Sequence, residues 1–448
     1  MSNRVQLDCR PAPNRVSVSA MATEAKLTIG DALGVLRNRP FRRYIIGSAI
    51  SDTGTWMQVM AQAWVMTTLT SSAFKLGLVQ LCSGLPMLAL TMVGGAAADR
   101  FDKRKILLIT QYVQIVIAVS IGLLIWTGHI AIWQVFIFAA LLGVSNSFEM
   151  PTLSALVPEL VGREQIQPGI SLDRTVFHGS RMVGFSLAGI FIKAWGMASA
   201  FFANAASFIA LIIAILSLPP RPKGTAKEEE QRSSGIKEGF RYIAKDKPSL
   251  AMIMLIAVQS LCIFPIITVM MPLYGKLVLH LGADRVSYLM GSSAIGSIVG
   301  SLFLISLPRG KRVPVMMVCA TGITCAIFGL SRAPGFYLAT ALMIMNSLCL
   351  AMNFALCSTI VQERAPDYLR GRVSGVFMLS FVGMVPFAAL GVTELSDLIE
   401  MPNALVIAAI AYGTLTLLIL ARVRRQCNEC PVSEAKPAEA PPPVAATV

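Results

Sequence analysis

The sequence predicts an all-α membrane protein in which twelve transmembrane helices form two six-helix pseudo-repeats. Three observations lead to this fold class: the chain is poor in charge, it contains long apolar runs, and a local pattern recurs in its second half. Charged residues make up 14% and hydrophobic residues 55% of the 448 residues, whereas soluble domains carry about 25% charged residues. The composition therefore excludes an ordinary soluble enzyme and a mostly disordered chain.

Twelve runs are long enough to cross a bilayer, which takes about 20 mainly apolar residues. Each is expected to be a helix, because a single apolar segment can satisfy its backbone in lipid only in that form. The runs cover 44–69, 76–98, 106–127, 131–150, 168–194, 197–218, 249–274, 285–307, 314–331, 335–361, 371–395 and 402–422.

The basic residues predict the orientation of these spans. Of the 38 Lys and Arg residues, 31 fall on the side of the two termini and five in the opposite loops. By the positive-inside rule, both termini of this multi-pass protein are expected on the cytoplasmic side of the membrane. The net charge of +14 is thus explained by topology, and no nucleic-acid partner is expected.

The second half of the chain repeats the first. The pattern Ser154–Glu159 recurs as Ser358–Glu363, and the same offset places the start of the first span at the start of the seventh. Parallel repeats of this kind are typical of transporters whose substrate site lies near the midplane between the halves. The predicted units are a cytoplasmic tail at 1–40, six-helix bundles at 41–218 and 249–423, a cytoplasmic linker at 219–248, and a disordered tail at 424–448.

Within the linker, Ile236, Phe240 and Ile243 recur at i, i+4 and i+7. This spacing predicts an amphipathic helix that lies on the cytoplasmic membrane interface. A soluble linker helix is the alternative.

The loop between the second and third spans, GAAADRFDKRK at 95–105, resembles the signature loop of the major facilitator superfamily, G-x-x-x-D-R/K-x-G-x-R-K/R. Asp102 replaces the second glycine. The resemblance implies a gate in which Gly95 permits close helix approach, Asp99 faces the positive end of a helix in the other half, and Arg100 and Arg104 make charged contacts across the seam. A generic basic loop would explain neither Gly95 nor Asp99. The implied gating residues are Gly95, Asp99, Arg100, Arg104 and Lys105.

Further segments are similar to the transmembrane secretion effectors, the branch that contains the enterobactin exporter. They are Phe41–Tyr44, Gly54–Gln58, Met150–Pro151, Leu156–Leu160, Lys237–Tyr242 and Leu369–Val373. The resemblance implies an inner-membrane secondary active transporter that exports a small amphipathic or anionic, siderophore-like molecule by proton antiport and alternating access. A multidrug or organic-solute efflux carrier, an uptake carrier and a non-transporting ligand sensor are the alternatives. Proton antiport rests on the resemblance alone, because Phe185 stands where the antiporter pattern has proline and no arginine lies in 131–150.

Polar residues inside the spans are candidates for substrate or proton binding, because charge in the bilayer is costly. The first span carries a polar stripe, since Ser48, Asp52, Thr55, Gln58 and Gln62 fall within one arc of about 120°. The stripe predicts a cavity-lining helix, and a hydrogen-bonded helix seam is the alternative. Spans one, four, seven and ten line the cavity in the superfamily, which adds Glu149, Gln259, Asn346 and Asn353, with helix packing as the alternative, and Pro265 as a flexing point.

In the fifth span, Arg174, His178 and Arg181 share one face, with Asp173 beside them. One hypothesis is that Arg181 faces the cavity, pairs with Asp52 or Glu149, and exchanges that partner for substrate or a proton. A static buried ion pair is the alternative.

The sequence predicts no cofactor, no metal and no enzymatic activity, because it lacks ligand spacing, a phosphate-binding loop and a hydrolase constellation. The expected partners are a small-molecule substrate, protons and membrane lipid, and the expected state is a monomer.

Overall fold

The computed structural model describes residues 34–161, 165–218, 236–303, 309–366 and 369–429. These residues form helices joined by short connections, and no strand occurs among them. The helices are α1 Arg39–Leu69, α2 Ala73–Arg100, α3 Lys103–Trp126, α4 Ile132–Leu160, α5 Ile166–Trp195, α6 Met197–Leu216, α7 Ile236–Lys245, α8 Lys247–Cys262, α9 Met271–Leu277, α10 Ala283–Phe303, α11 Arg312–Ser331, α12 Phe336–Arg364, α13 Arg370–Val382, α14 Val385–Ile399 and α15 Met401–Glu429.

Ten segments of the described chain are long and apolar enough to cross a membrane: α2 to α6, α8 together with α9, α11, α12, α13 together with α14, and α15. The helices α1 and α10 occupy the first and eighth predicted runs but do not meet that criterion. In α1 the reason lies in its polar residues, among them Asp52 and Gln58.

The seventh and eleventh spans are each broken near the middle. A π-helical segment at Ile266–Met270 follows Pro265 and separates α8 from α9, which agrees with the predicted flexing point. Gly383 and Met384 separate α13 from α14, and Pro386 in the next turn lacks the N–H that would continue the helix. The two breaks touch, because the rings of Phe264 and Phe381 meet edge to face at 5.0 Å between centroids.

The helices pack in two groups, α1 to α6 and α8 to α15. In the first group, α1 packs on α5 and α6, α2 on α4, and α3 on α4 and α6. Small residues allow close backbone approach: a Cβ at Gly94 would clash with the Ser147 carbonyl, and one at Gly143 with the Ser83 carbonyl. In the second group, Gly296 and Gly300 of α10 fit in the same way against the backbone of α12.

Connections at 70–72, 127–131 and 332–335 lie at one end of the bundle, termed the far end, and the signature loop lies at the other, termed the loop end. The two groups meet where α5 packs on α10, α2 on α14 and α1 on α9. Helices α9 and α14 are the far-end halves of the two broken spans. Their loop-end halves, α8 and α13, do not pack extensively on the first group within the described residues. The groups are therefore joined at the far end and separated at the loop end.

Two helices extend beyond the predicted limits of their spans. Helix α4 continues through Pro151 and Pro158 to Leu160, beyond the predicted end at 150, because its last turns lie past the apolar run. Helix α15 continues to Glu429, so residues 424–429 are helical rather than part of a disordered tail. No helix-breaking residue occurs in that stretch before Pro431. The remaining tails and the linker residues 219–235 lie outside the described residues.

Helix α7 is attached to the second group. Arg372 of α13 donates to Glu238, and Arg364 of α12 donates to Asp246, the N-cap of α8, from Nε at 2.8 Å and Nη2 at 2.6 Å. Ile243 is buried, whereas Phe240 is 48% exposed. Of the predicted apolar face, Ile243 thus packs into the protein core, whereas Phe240 lies at the surface of the protein.

Candidate functional site

Asp52 lies near the middle of α1 and is bound by its own helix. Ser48 Oγ donates to Asp52 Oδ2 at 3.0 Å, and the carboxylates of Glu149 and Asp173 lie within electrostatic range of it. Tyr44, one turn before Ser48, donates its hydroxyl to Asp173 Oδ1 at 3.3 Å. The first group therefore gathers three carboxylates, from α1, α4 and α5, in its interior.

Glu149 is held by neutral amides of α3. Gln111 Nε2 donates to its Oε1 at 2.7 Å, and Gln114 Nε2 donates to its Oε2. Among the described residues, neither Glu149 nor Asp52 forms an ion pair. Both are acidic groups whose hydrogen-bond partners carry no charge.

Arg181 lies near the middle of α5 and reaches the other helix group. Its Nη2 donates to Ser297 Oγ of α10 at 3.3 Å, and its guanidinium carbon lies 5.8 Å from the centre of the Trp56 ring. The pairing of Arg181 with Asp52 or Glu149 is not formed in this structure, in which Ser48 binds Asp52 and two glutamines bind Glu149. The Nε of Arg181 is buried without a hydrogen-bond partner.

Aromatic residues surround this arginine. The Trp56 ring lies 5.6 Å from Phe177 and 5.3 Å from Phe185, both edge to face. Phe185 is the residue that replaces the proline of the antiporter pattern, and Gly184 before it packs against the backbone of α1. His178 Nδ1 is buried and has no partner. Arg174 lies within electrostatic range of Asp173 and His178.

The second group contributes neutral polar residues. Asn346 and Asn353 of α12 and Gln259 of α8 are each at most 2% exposed. Asn353 Nδ2 donates to the hydroxyl of Tyr412 at 3.1 Å. Both polar atoms of Asn346 and the Oε1 of Gln259 lack a hydrogen-bond partner. Buried amides are normally satisfied, so Asn346 and Gln259 have free hydrogen-bonding capacity at mid-depth.

Gln58 belongs to a helix seam in this structure. It accepts a hydrogen bond of 2.7 Å from Asn204 Nδ2 of α6 and is 5% exposed, so it faces the interior of the first group. Gln62, one turn further on, is half-buried. The polar stripe of α1 is therefore split: Gln58 makes a packing contact with α6, whereas Asp52 and Gln62 are half-buried.

The signature loop makes its described contacts within the first group. Asp102 caps α3 by accepting from Arg104 N at 2.9 Å, Lys103 pairs with Glu159 at 2.8 Å, and Arg104 Nη2 donates to the Leu216 carbonyl at 3.1 Å. In the second group Arg312 pairs with Glu363 at 2.7 Å, the residue that the sequence repeat aligns with Glu159.

Gly95 makes no close helix contact in this structure, because a Cβ at this position would meet no atom within 4 Å. Gly94, next to it, makes the close approach instead, toward α4. Asp99, Arg100 and Lys105 are exposed.

The far end carries polar contacts between the groups that the sequence did not reveal. Asp397 of α14 caps α2: it accepts from Ser72 Oγ at 2.6 Å, Ala73 N at 2.7 Å and Phe74 N at 3.0 Å. Nearby, Lys193 pairs with Asp284 at 3.0 Å, and Lys276 Nζ donates to the Thr67 carbonyl at 2.5 Å. The only sequence signal for the cap on α2 was an acidic residue, Asp397, at the end of one span and a serine, Ser72, before another.

Comparisons with known proteins identify the family. The profile described as transmembrane secretion effector matches residues 31–448. The chain is 24% identical to the enterobactin exporter of Citrobacter koseri over 90% of this chain and 98% of that protein. It is also 24% identical to the staphyloferrin A transporter of Staphylococcus aureus over 82% of this chain and 91% of that protein.

Solved structures show the same fold. A nucleoside transporter superposes with a TM-score of 0.67 at 15% identity, covering 86% of this chain and 99% of that one. A bacterial homologue of the iron transporter ferroportin does so with a TM-score of 0.64 at 15% identity, covering 86% and 98%. The fold is that of the major facilitator superfamily, and the chain is a multi-pass secondary transporter, not an enzyme, that belongs to the transmembrane secretion effector family.

Proposed function

We propose that this transporter exports a small anionic, siderophore-like molecule across the inner membrane by alternating access, in exchange for protons. The observation that carries the proposal is the arrangement of the two helix groups, which are joined at the far end and separated at the loop end. Substrate entering from the loop end would reach Arg181, which is half-buried near the middle of α5. The names of the relatives, an enterobactin exporter and a staphyloferrin A transporter, support the substrate class.

The loop end faces the cytoplasm in this proposal. The excess of basic residues in the loops of that end supports this orientation. The structure then represents the state that loads substrate from the cytoplasm, and the contacts of Asp397, Lys193 and Lys276 close the exit.

Arg181 is the residue we assign to substrate recognition. A guanidinium can bind a carboxylate or a catecholate oxygen through two N–H groups, and the ring of Trp56 offers an apolar face beside it. Binding an anion would use the Nε–H of Arg181, which has no partner in this structure.

Asp52 and Glu149 are the proton carriers we assign. A charged carboxylate in the membrane interior is costly unless it is paired, and the hydrogen-bond partners of both are neutral. Binding and release of protons at these carboxylates would couple the pH gradient to the movement of the helix groups.

The test uses the purified transporter in proteoliposomes under an imposed pH gradient. Catecholate, hydroxamate and carboxylate siderophores are compared with a cationic dye, which tests whether the protein is a multidrug carrier instead. We expect gradient-driven movement of an anionic siderophore. Preference for the dye would favour the multidrug alternative, and binding without movement would favour the sensor.

Proton coupling is tested separately with Asp52→Asn. We expect this variant to lose gradient-driven accumulation at least tenfold while it keeps substrate counterflow, because only the proton-binding group is removed. Glu394→Gln, at an exposed position of α14, is the control and should resemble the wild type. Full accumulation by both Asp52→Asn and Glu149→Gln would refute the assignment of the carriers.

A further inference from the structure

A groove on the outer surface of the first helix group lies between α1 and α6 at the loop end. It has a volume of about 570 Å³ and is lined by Arg43, Ile46, Gly47, Ile50, Ala210, Ile213, Ala214 and Ser217. None of the transport residues assigned above lines it. Its apolar walls include Ile46, Ile50 and Ile213, which are 55%, 47% and 62% exposed and therefore face lipid.

The groove follows the line along which α1 and α6 pack, and its apolar walls form a slot that can accommodate a hydrocarbon chain. Gly47 forms part of its floor, because it lies so close to Ala210 and Ala214 that a Cβ there would meet both. From Arg43 to Ile50 the helix rises about 10 Å, at 1.5 Å per residue. The slot thus runs from the polar end of α1 into the hydrocarbon region of the membrane.

Positive charge collects at the polar mouth of the groove. Arg43 lines it, and Arg39 lies one helical turn before Arg43 on the same face of α1. Arg104 of α3 binds the Leu216 carbonyl at the end of α6, next to Ser217, and its Nε is buried without a partner. No acidic residue lines the groove, and neither Arg39 nor Arg43 forms an ion pair within the described part of the chain.

We propose that this groove binds one anionic phospholipid, with an acyl chain between α1 and α6 and the headgroup phosphate on Arg43. Arginine binds phosphate through two parallel N–H groups, and basic residues near a membrane surface attract anionic lipids. A zwitterionic lipid offers the same acyl chain but no net negative charge, so Arg43, with Arg39 one turn away, selects for the anionic class.

The experiment measures lipid binding by native mass spectrometry of the detergent-purified, full-length transporter. Phosphatidylglycerol and phosphatidylcholine with identical acyl chains are titrated against the wild type and the variants Arg43→Gln and Arg42→Gln. Arg42 is equally exposed but does not line the groove, so it is the matched control. We expect tighter binding of phosphatidylglycerol by the wild type, about fivefold weaker binding by Arg43→Gln, and no such loss in Arg42→Gln.

A second variant tests the acyl slot without altering charge. Ala210→Phe fills the groove and should reduce phosphatidylglycerol binding, and the melting temperature of the lipid-free protein verifies that the fold is intact. Equal binding of the two lipids, or equal effects of Arg43→Gln and Arg42→Gln, would overturn the proposal. Cross-linking of a cysteine at Ile46 to residues 219–235 in lipid-saturated protein would overturn it too, because the linker would then be the occupant.

Discussion

Arg181 is the residue at which the sequence hypothesis and the structure differ in an informative way. Helical periodicity placed Arg181 on a face with Arg174 and His178, and that face was expected to meet Asp52 or Glu149. The structure places Arg181 against Trp56 and Ser297 instead. Periodicity assigns a residue to a face of its own helix, but it does not say which neighbouring helix covers that face. Periodicity therefore could not predict the partners of Arg181, and the roles of the candidate residues stay predictions.

We expect Arg181→Ala to reduce transport of an anionic substrate at least tenfold, because it removes the positive charge that we assign to recognition. Arg181→Lys should retain part of the activity, since lysine keeps the charge but lacks the planar group that lies over Trp56. Ser297→Ala removes one neutral partner and should cost about fivefold or less. Uptake into inverted vesicles measures all three, and full activity of Arg181→Ala would exclude the recognition role.

At the scale of elements, the cap that Asp397 places on α2 joins the two groups through a single carboxylate. A capping side chain contributes about 1 kcal/mol, which corresponds to about a fivefold change in an equilibrium between two states. We expect Asp397→Ala to favour opening of the far end by about that factor. Spin labels at Lys75 and Leu398 would report a larger distance between α2 and α14.

The control for that measurement is Glu400→Gln, which changes an exposed acidic residue three positions after Asp397. An unchanged distance distribution in Asp397→Ala would show that the cap does not hold the far end closed.

The attachment of α7 should depend on pH. Burial acts to raise the pKa of Asp246, but hydrogen bonds from Arg364 and Ser249 outweigh it and hold the pKa below its ordinary value. A carboxyl whose pKa is lowered by folding stabilises the protein above its ordinary pKa, and this contribution is lost as the pH falls through the lowered value. We expect Asp246→Asn to lower the melting temperature at pH 7.

Melting curves at decreasing pH provide the check. The difference between wild type and Asp246→Asn should shrink as the carboxyl of the wild type takes up its proton. A difference that stays constant down to strongly acidic pH would contradict the ionic origin of the attachment.

The elements themselves were largely predictable, because hydrocarbon imposes one length and one backbone conformation on every span. The limits of that signal are visible in α4 and α15, which continue as helices beyond the apolar runs. The break at Gly383 was also missed: its only signals were a glycine and Pro386, whereas Pro265 alone was sufficient to suggest a flexing point in the seventh span.

For the whole molecule, the orientation predicted from the basic residues can be measured directly. We expect alkaline phosphatase fused after Gly128 or Arg332, at the far end, to be active, because this enzyme requires the oxidising periplasm. The same enzyme fused at Val448 should be inactive, and a fluorescent protein at that position should be bright. The reverse pattern would place the loop end outside and turn the proposed exporter into a carrier that loads from the periplasm.

The repeat seen in the sequence reappears as equivalent ion pairs. Glu159 and Glu363, which the sequence pattern aligns, each bind a basic residue at the start of a neighbouring helix, Lys103 in one group and Arg312 in the other. The contacts between the groups follow the same repeat. The offset that relates Glu159 to Glu363 also relates Lys193 to Asp397. Lys193 pairs with Asp284 near the start of α10, and Asp397 caps the start of α2, so the two positions are equivalent although their residue types differ.

The adjoining breaks in the seventh and eleventh spans have a consequence for how the cavity shuts. Both breaks lie where the contact between the groups ends, so α9 and α14 can stay packed on the first group while α8 and α13 move inward. The two breaks are coupled through the contact between the rings of Phe264 and Phe381. Bending at both would then suffice to enclose the substrate before the far end opens. Such a transporter need not rotate its halves as rigid bodies, and a substitution that stiffens either break should trap the state in which the substrate is enclosed.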